Sequence, residues 1–483
     1  MQKQFDATGD DRINLFGLDV GSTTCSAMVA SARILKNCIT GRRELGEVEN
    51  ILHSDPEFTP LLGTAIDESR LRQSIDCWIG DSGIDPAAIS SGGAIVTGFA
   101  AQASNAAVVA RLVRERFGES LIVTADDPCL ESWLAFMGNS LFLSREYRDR
   151  TILNIDIGGG TTNLAWGLDG EVVRAGSFFV GARHLLFQPG SYRIVGVSSE
   201  WEQVLPSLGV KQHNGEELTP ANLDVVLEFV VSILEAAAMG ESIVLNREPA
   251  KRLRQVPFEP IVDPSMIITL SGGVGELAYR CARGEPLPET TLYGDLGIDF
   301  ARRLCESNVF VPHLQQYVPS NLGRATVYGI TVHNTEVSGS TFYLPHQNLL
   351  PLSDLPIVGR LTGEMQEDDV RSRIEIARRS SRGACLIVDG LSDDVSSVKS
   401  FGSLLATLLQ EGSSPSDRLL VLLVTNNVGK TLGHYVTDWG RLPVRVIVVD
   451  EIPTRNANFV SLGKPRDSFI PVSFYGIQPG GPH

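Results

Sequence analysis

Short apolar runs recur along the chain, and polar or glycine-rich turns follow most of them. Residues 13–20 read as a strand buried on both faces, with residues 26–35 as its hairpin partner. Residues 70–79 carry apolar positions at helical spacing. A strand over 94–97 ends at Gly98 and leads to an Ala/Val-rich helix over 100–117, then to a short strand over 121–124. Asp127-Pro128 opens a helix through residue 137, with Pro at the first helical position, where its missing N–H costs nothing. The polar stretch 144–150 reads as a lead into the next apolar run, 152–155. Residues 164–179 predict a hairpin turned at Asp169-Gly170. The longest helical pattern is 222–239, apolar at Leu223, Val226, Leu227, Val230 and Val231. A third run, 266–270, is followed by loop at 284–288 and helix at 296–307.

The last third changes character. Residues 326–332 and 341–344 read as strands, and 363–369 as a charged loop. Three strand–helix alternations follow, with strands at 384–388, 419–424 and 444–449, which indicates an α/β layer. Gly429-Lys430-Thr431 lacks the leading glycine of a P-loop, because position 424 is Val424. It reads as a helix start after a strand.

Three of the turns share a composition. Asp19-Val20-Gly21-Ser22-Thr23-Thr24 follows the first run. Asp156-Ile157-Gly158-Gly159-Gly160-Thr161-Thr162-Asn163 follows 152–155. Ser271-Gly272-Gly273-Val274-Gly275-Glu276 follows 266–270. Glycine lets the backbone approach a ligand closely. Successive amides in such a turn form a concave anion site, and the hydroxyls of Ser22, Thr23, Thr161 and Thr162 add donors. An Asp before the turn would repel phosphate unless a hydrated Mg²⁺ lay between, and Mg²⁺ keeps several waters while taking one or two carboxylates. One Asp-x-Gly turn is only a tight turn. The pair, with the third behind it, points to a nucleotide held between two lobes.

Bulk properties narrow the class. The 483 residues predict two or three domains. A net charge of −16, from 41 basic and 57 acidic residues, argues against a nucleic-acid partner. Seven scattered cysteines without a Cys-x-x-Cys read as reduced thiols of a cytoplasmic protein. The histidines show no zinc spacing. No apolar run approaches membrane-spanning length, and residues 1–12 read as a disordered tail rather than a secretory signal.

The order and spacing of the turns resemble the phosphate-1, phosphate-2 and adenosine motifs of the actin, Hsp70 and sugar-kinase ATPase superfamily. Thr97-Gly98 with Asn105-Ala106, Ser144-Arg145-Glu146-Tyr147 and the 154–163 segment resemble the ethanolamine ammonia-lyase reactivating factor family more narrowly. So do the 333–341 stretch (His333 to Thr341), Gly429-Lys430-Thr431-Leu432-Gly433, Asp450-Glu451-Ile452 and Leu462-Gly463-Lys464-Pro465. The similarity spans most of residues 13–473. Departures are Ser26 or Cys25 where some superfamily members carry Lys, Ser104 before Asn105 where Glu is expected, and Ser461 where Asp is frequent.

The resemblance implies an α/β, actin-like ATPase fold: two RNase H-like lobes around a nucleotide cleft, plus a C-terminal α/β region. The expected divisions are 1–12, 13–150, 151–325 and 326–483. It implies a slow Mg²⁺-dependent ATPase with chaperone-like action, releasing damaged cobalamin from inactivated ethanolamine ammonia-lyase so that intact adenosylcobalamin can enter. Gly21, Ser22, Thr23 and Thr24 would bind the ATP phosphates from one side, and Gly158, Gly159, Gly160, Thr161 and Thr162 from the other. Asp19 and Asp156 would hold hydrated Mg²⁺, and Asp156 or Asp127 would orient the attacking water. Gly272, Gly273 and Gly275 would lie against adenosine, and Glu131 is a weaker candidate for the water. The last third is expected to supply part of the client-binding face. The resemblance admits indirect handling of cobalamin; no Asp-x-His-x-x-Gly motif is present. The resemblance admits a homo-oligomer and enclosure in a bacterial microcompartment. The same turns also fit a small-molecule kinase, a nucleotide-dependent filament or scaffold protein, or a hydantoinase-like hydrolase.

Overall fold

The computed structural model describes residues 5–6, 12–37, 42–118, 121–411, 418–466 and 469–478. The tail expected at 1–12 lies outside these residues, apart from the two-residue strand Phe5–Asp6 and Arg12. Cys38 also lies outside them.

The first sheet contains β1 (Arg12–Val20), β2 (Thr24–Asn37), β3 (Arg43–His53), β4 (Ile89–Val96) and β5 (Ile122–Ala125). Their order is β3-β2-β1-β4-β5. The first three run antiparallel, and β4 and β5 run parallel to β1. The second sheet contains β6 (Ile152–Ile157), β7 (Thr162–Leu168), β8 (Glu171–Phe178), β9 (Arg254–Val256) and β10 (Ile267–Ser271), in the order β9-β8-β7-β6-β10. Again a central strand starts an antiparallel meander on one side and takes a parallel partner, β10, on the other. One strand plan is therefore used twice. In each copy a glycine turn joins the first hairpin, which puts the two Asp-x-Gly turns at equivalent places.

Two short helices separate the sheets. Pro128–Asn139 is buried at ten positions from Cys129 to Asn139, so it packs on every side. Its partner, Ala325–Val332, is the segment expected to be a strand. The β-branched run there is a helix because it is enclosed all round, and residues 325–327 and 329–332 are buried. Burial overrides the weak strand preference of Thr, Val and Ile. Close approach is the reason for two glycines. A Cβ on Gly329 would stand 2.2 Å from the Leu134 carbonyl oxygen, and one on Gly138 1.9 Å from that of Ala325.

Other differences have local causes. The helix expected over 100–117 is interrupted at 102–106 and resumes as Ala107–Phe117. Asn105 is taken out of helical use because its side chain bonds both the amide (2.7 Å) and the carbonyl (2.9 Å) of Ile66. The polar lead at 144–150 begins inside a helix, Leu141–Glu146. Residues 341–344 form only an isolated bridge, Tyr343 to Val448.

The third sheet contains β11 (Thr335–Val337), β12 (Leu352–Thr362), β13 (Ala384–Asp389), β14 (Leu419–Val424), β15 (Arg445–Val449), β16 (Ala457–Leu462) and β17 (Pro471–Ile477). The order is β11-β17-β16-β12-β13-β14-β15, with β12 through β15 parallel. Strand β14 sends Leu420, Leu422 and Val424 into one core and Leu419, Val421 and Leu423 into another. A parallel strand covered on both faces reads as a continuous apolar run. Helix Gly429–Val436 follows it, as the reading of 429–431 as a helix start expects. No helix among the described residues is long and apolar enough to cross a membrane.

Candidate functional site

The two acidic turns fold alike. Gly21 N donates to Thr24 O at 2.9 Å, and Gly158 N donates to Thr161 O at 2.9 Å. Each bond closes the hairpin two residues after its Asp. The carbonyls of the second turn are then drawn away by three successive residues. Ala182 N and Arg183 N donate to Gly158 O (3.1 Å) and Gly159 O (2.7 Å), and His184 Nε2 lies 2.7 Å from Gly160 O. On the first turn, Thr59 Oγ1 donates to Gly21 O at 2.7 Å, Thr59 N donates to Thr23 O at 2.9 Å, and Phe99 N donates to Ser22 Oγ at 2.8 Å. The amides of Ser22, Thr23, Gly159 and Gly160 donate to no group among the described residues. Four free amides with hydroxyls beside them make an anion cradle.

The turns meet across a cleft of about 390 Å³. Asp19, Gly21, Ser22, Thr23 and Thr24 line it from the first sheet, and Asp156, Gly158, Gly159, Gly160 and Thr161 from the second. Gly272 and Gly273 line it from the start of helix Gly272–Ala282. Gly272 has φ +78°, and a Cβ there would meet Ile157 O at 2.5 Å, whereas Gly273 is open.

Three expected residues stand elsewhere. Thr162 is turned inward, its Oγ1 donating to Val180 O at 2.7 Å. Gly275 packs on Leu270, with 3.1 Å available to a Cβ. Asp127 caps helix Pro128–Asn139: Oδ1 accepts from Leu130 N (3.1 Å) and Oδ2 from Gly476 N (2.6 Å). Asp127 thus ties helix Pro128–Asn139 to the third sheet, its two oxygens bonded to backbone amides.

Glu131, the weaker expectation, does line the cleft. It sits in the first turn of that buried helix, not on a solvated face. Burial, then the charges of Asp156 and Asp19, hold its carboxyl well above the ordinary range. Burial pushes Asp19 up to about 7, with Asp156 adding to the effect. Burial also raises Asp156 to about 6, while Ser271 Oγ, donating to its Oδ1 at 2.6 Å, opposes the shift. Asp156 is held at the end of a buried polar chain: Asn139 Nδ2 donates to Asn154 Oδ1 (2.8 Å), and Asn154 Nδ2 to Ser271 Oγ (3.0 Å). Fixed partners of this kind specify one rotamer.

Three crowded carboxylates are costly without a cation, and Asp19 Oδ1 is buried with no hydrogen-bond partner. That donor set suits a hard cation. Among the described residues no group of three or more His, Cys, Asp or Glu side chains forms a ready metal-ligand cluster.

Glu276, Arg280, Tyr293 and Asp295 also line the cleft, and sequence reasoning missed them. For two of them a signal existed: Gly273, Glu276 and Arg280 fall on one helical face. Phe58 and Tyr293 come from different ends of the first 300 residues, and their ring centroids are 6.2 Å apart. No spacing rule would have paired them.

The profile of the ethanolamine utilisation protein EutA family matches residues 11–474. The ethanolamine ammonia-lyase reactivase EutA of Salmonella typhimurium is 26% identical over 476 residues, covering 95% of this chain and 96% of that protein. Its counterpart from Escherichia coli is 27% identical over 472 residues, with the same coverage. Among solved structures, ethanolamine utilization protein EutJ from Carboxydothermus hydrogenoformans aligns with 68% of this chain and 91% of its own, at 12% identity and a TM-score of 0.28. The chain, matched along nearly its whole length, belongs to the EutA family of ethanolamine utilisation proteins.

Proposed function

We propose that the protein is an ATP-dependent reactivating factor for ethanolamine ammonia-lyase, and that its two glycine turns hold the nucleotide phosphates between them. The observation that carries the nucleotide reading is the pair of matched turns: four unpaired amides on one cleft, with crowded carboxylates beside them. The client comes from the family, whose relatives in Salmonella typhimurium and Escherichia coli are named for reactivating that enzyme.

In this reading Gly21, Ser22, Thr23 and Thr24 contact the phosphates from one side, and Gly158, Gly159, Gly160 and Thr161 from the other. Asp19 and Asp156 would hold Mg²⁺, which would supply neutralisation of phosphate charge. Glu131 takes the water-orienting role that Asp127 has no freedom to fill. Gly272 and Gly273 leave room for the nucleoside. ATP touches both turns through a terminal phosphate that ADP lacks, so the two nucleotides favour different lobe closures. The lobes are taken as 13–150 and 151–325, with 326–483 as the region that meets the client. Asp127 Oδ2, bonded to Gly476 N in β17, gives cleft closure a mechanical route to that region.

The test incubates the protein with cobalamin-blocked ethanolamine ammonia-lyase, Mg²⁺, ATP and fresh adenosylcobalamin, and follows deamination. Recovery that needs both ATP and Mg²⁺ supports the reading. No recovery above the protein-free control contradicts it.

A further inference from the structure

Beside the second turn lies a charged group that the proposed site does not yet use. Arg183 follows Gly181-Ala182 and is pinned at its backbone, its N–H donating to Gly159 O at 2.7 Å. Its side chain runs back over the turn: a Cβ on Gly159 would stand 3.0 Å from Arg183 Cδ, 2.3 Å from Thr23 Oγ1 and 3.1 Å from Ser22 Cβ. The arginine therefore sits where the two turns touch. Its guanidinium makes no hydrogen bond or ion pair with any described residue, although it is partly buried. Asp295 is the one described charge that acts on it. Asp295 is itself 4% exposed, lines the cleft, and accepts from Gly297 N at 2.9 Å. A guanidinium taken from water without a hydrogen-bonded partner is costly. Its planar fork matches phosphate oxygens.

We infer that Arg183 is a catalytic residue that meets the terminal phosphate of the nucleotide and stabilises the charge developing there. The inference rests on the ATPase reading above and adds a residue supplied from within the chain. In the step it serves, a water oxygen bonds to the γ-phosphorus as the bond from that phosphorus to the bridging oxygen breaks. The electron pair leaves on ADP, inorganic phosphate forms, and the water proton passes to solvent. Arg183 stays charged throughout and forms no covalent bond.

The experiment compares the full-length wild type with Arg183→Ala and Arg183→Lys. It measures ATP turnover and the affinities for Mg-ADP and for Mg-ADP with beryllium fluoride, a terminal-phosphate mimic. Arg183→Ala should lower turnover by about 1,000-fold or more, the low end of what such arginines contribute. Affinity for the fluoride complex should fall about tenfold while that for ADP stays within about twofold, a contrast that a merely structural arginine would not produce. Arg183→Lys keeps the charge but loses the fork, so it should recover part of the affinity for the mimic; it also carries the test if the alanine variant does not fold. Turnover within about threefold of wild type, or equal weakening of both complexes, overturns the inference and leaves the nucleotide site standing. A wild type that binds neither complex overturns both.

Discussion

A side-chain carbon placed on Gly159 would stand 2.3 Å from Oγ1 of Thr23. These residues belong to turns on different sheets, and only a hydrogen at position 159 lets them meet. Gly159→Ala must push the turns apart or displace Thr23, at a cost of about 1–3 kcal/mol for overpacking. If ATP needs both turns, that cost appears as affinity, roughly tenfold or more. Nucleotide titration checks it, and unchanged affinity would show that the turns need not close.

Asp19 and Asp156 bear opposite consequences for the empty and loaded protein. Their burial raises both carboxyls, so Asp19→Asn and Asp156→Asn should leave the melting temperature of the nucleotide-free protein unchanged or higher. At Mg-ATP 100-fold above its dissociation constant, wild type should gain about 2.7 kcal/mol, and the variants should gain little. Thermal denaturation with and without Mg-ATP reads both effects. A large loss of stability without nucleotide would make these aspartates structural.

Much of this was legible because local chemistry and tertiary role agreed. The turns at Gly21 and Gly158 are hairpin closures with apolar strands on both sides, and composition alone marks them. Strand Leu419–Val424 is covered on both faces, so its run is unbroken. Where the two levels diverge, pattern misleads. Residues 326–332 look like a strand because most of them are β-branched, yet they belong to a helix wedged between two sheets. Asp127 carries the composition of a catalytic acid but spends its oxygens on two amides. Glu131 looks solvated until the helix bearing it proves to be buried. Arg183 and the first turn come together only through folding.

That wedge has its own test. The Cβ of Gly329→Ala would fall 2.2 Å from the carbonyl oxygen of Leu134, a backbone atom that cannot swing aside. The helices must separate, and overpacking of this sort costs about 1–3 kcal/mol. Chemical denaturation should show a lower midpoint. A midpoint equal to wild type would mean that the crossing is looser than described.

His184 gives a pH dependence of definite sign. Burial depresses it from 6.5 to about 4, with Nδ1 2.7 Å from Ser198 Oγ and Nε2 2.7 Å from Gly160 O. Gly160 O can only accept, so Nε2 carries the proton and the ring is neutral. Between pH 4 and 6.5 the unfolded chain binds the extra proton and the folded one does not, so this contribution is full above 6.5 and is lost as pH falls toward 4. It amounts to roughly 3 kcal/mol. Buried carboxylates with raised pKa values act in the opposite sense, so the difference between wild type and His184→Gln isolates the histidine. That difference should shrink as pH falls from 6.5 to 4; a constant difference would contradict the neutral, buried ring.

Calorimetric titration of the full-length protein with ATP, in the presence and absence of Mg²⁺, bears most directly on the central claim. One Mg²⁺-dependent site in the wild type, lost in Asp156→Ala, is the predicted result. No heat of binding in the wild type, or undiminished binding in Asp156→Ala, would contradict the account.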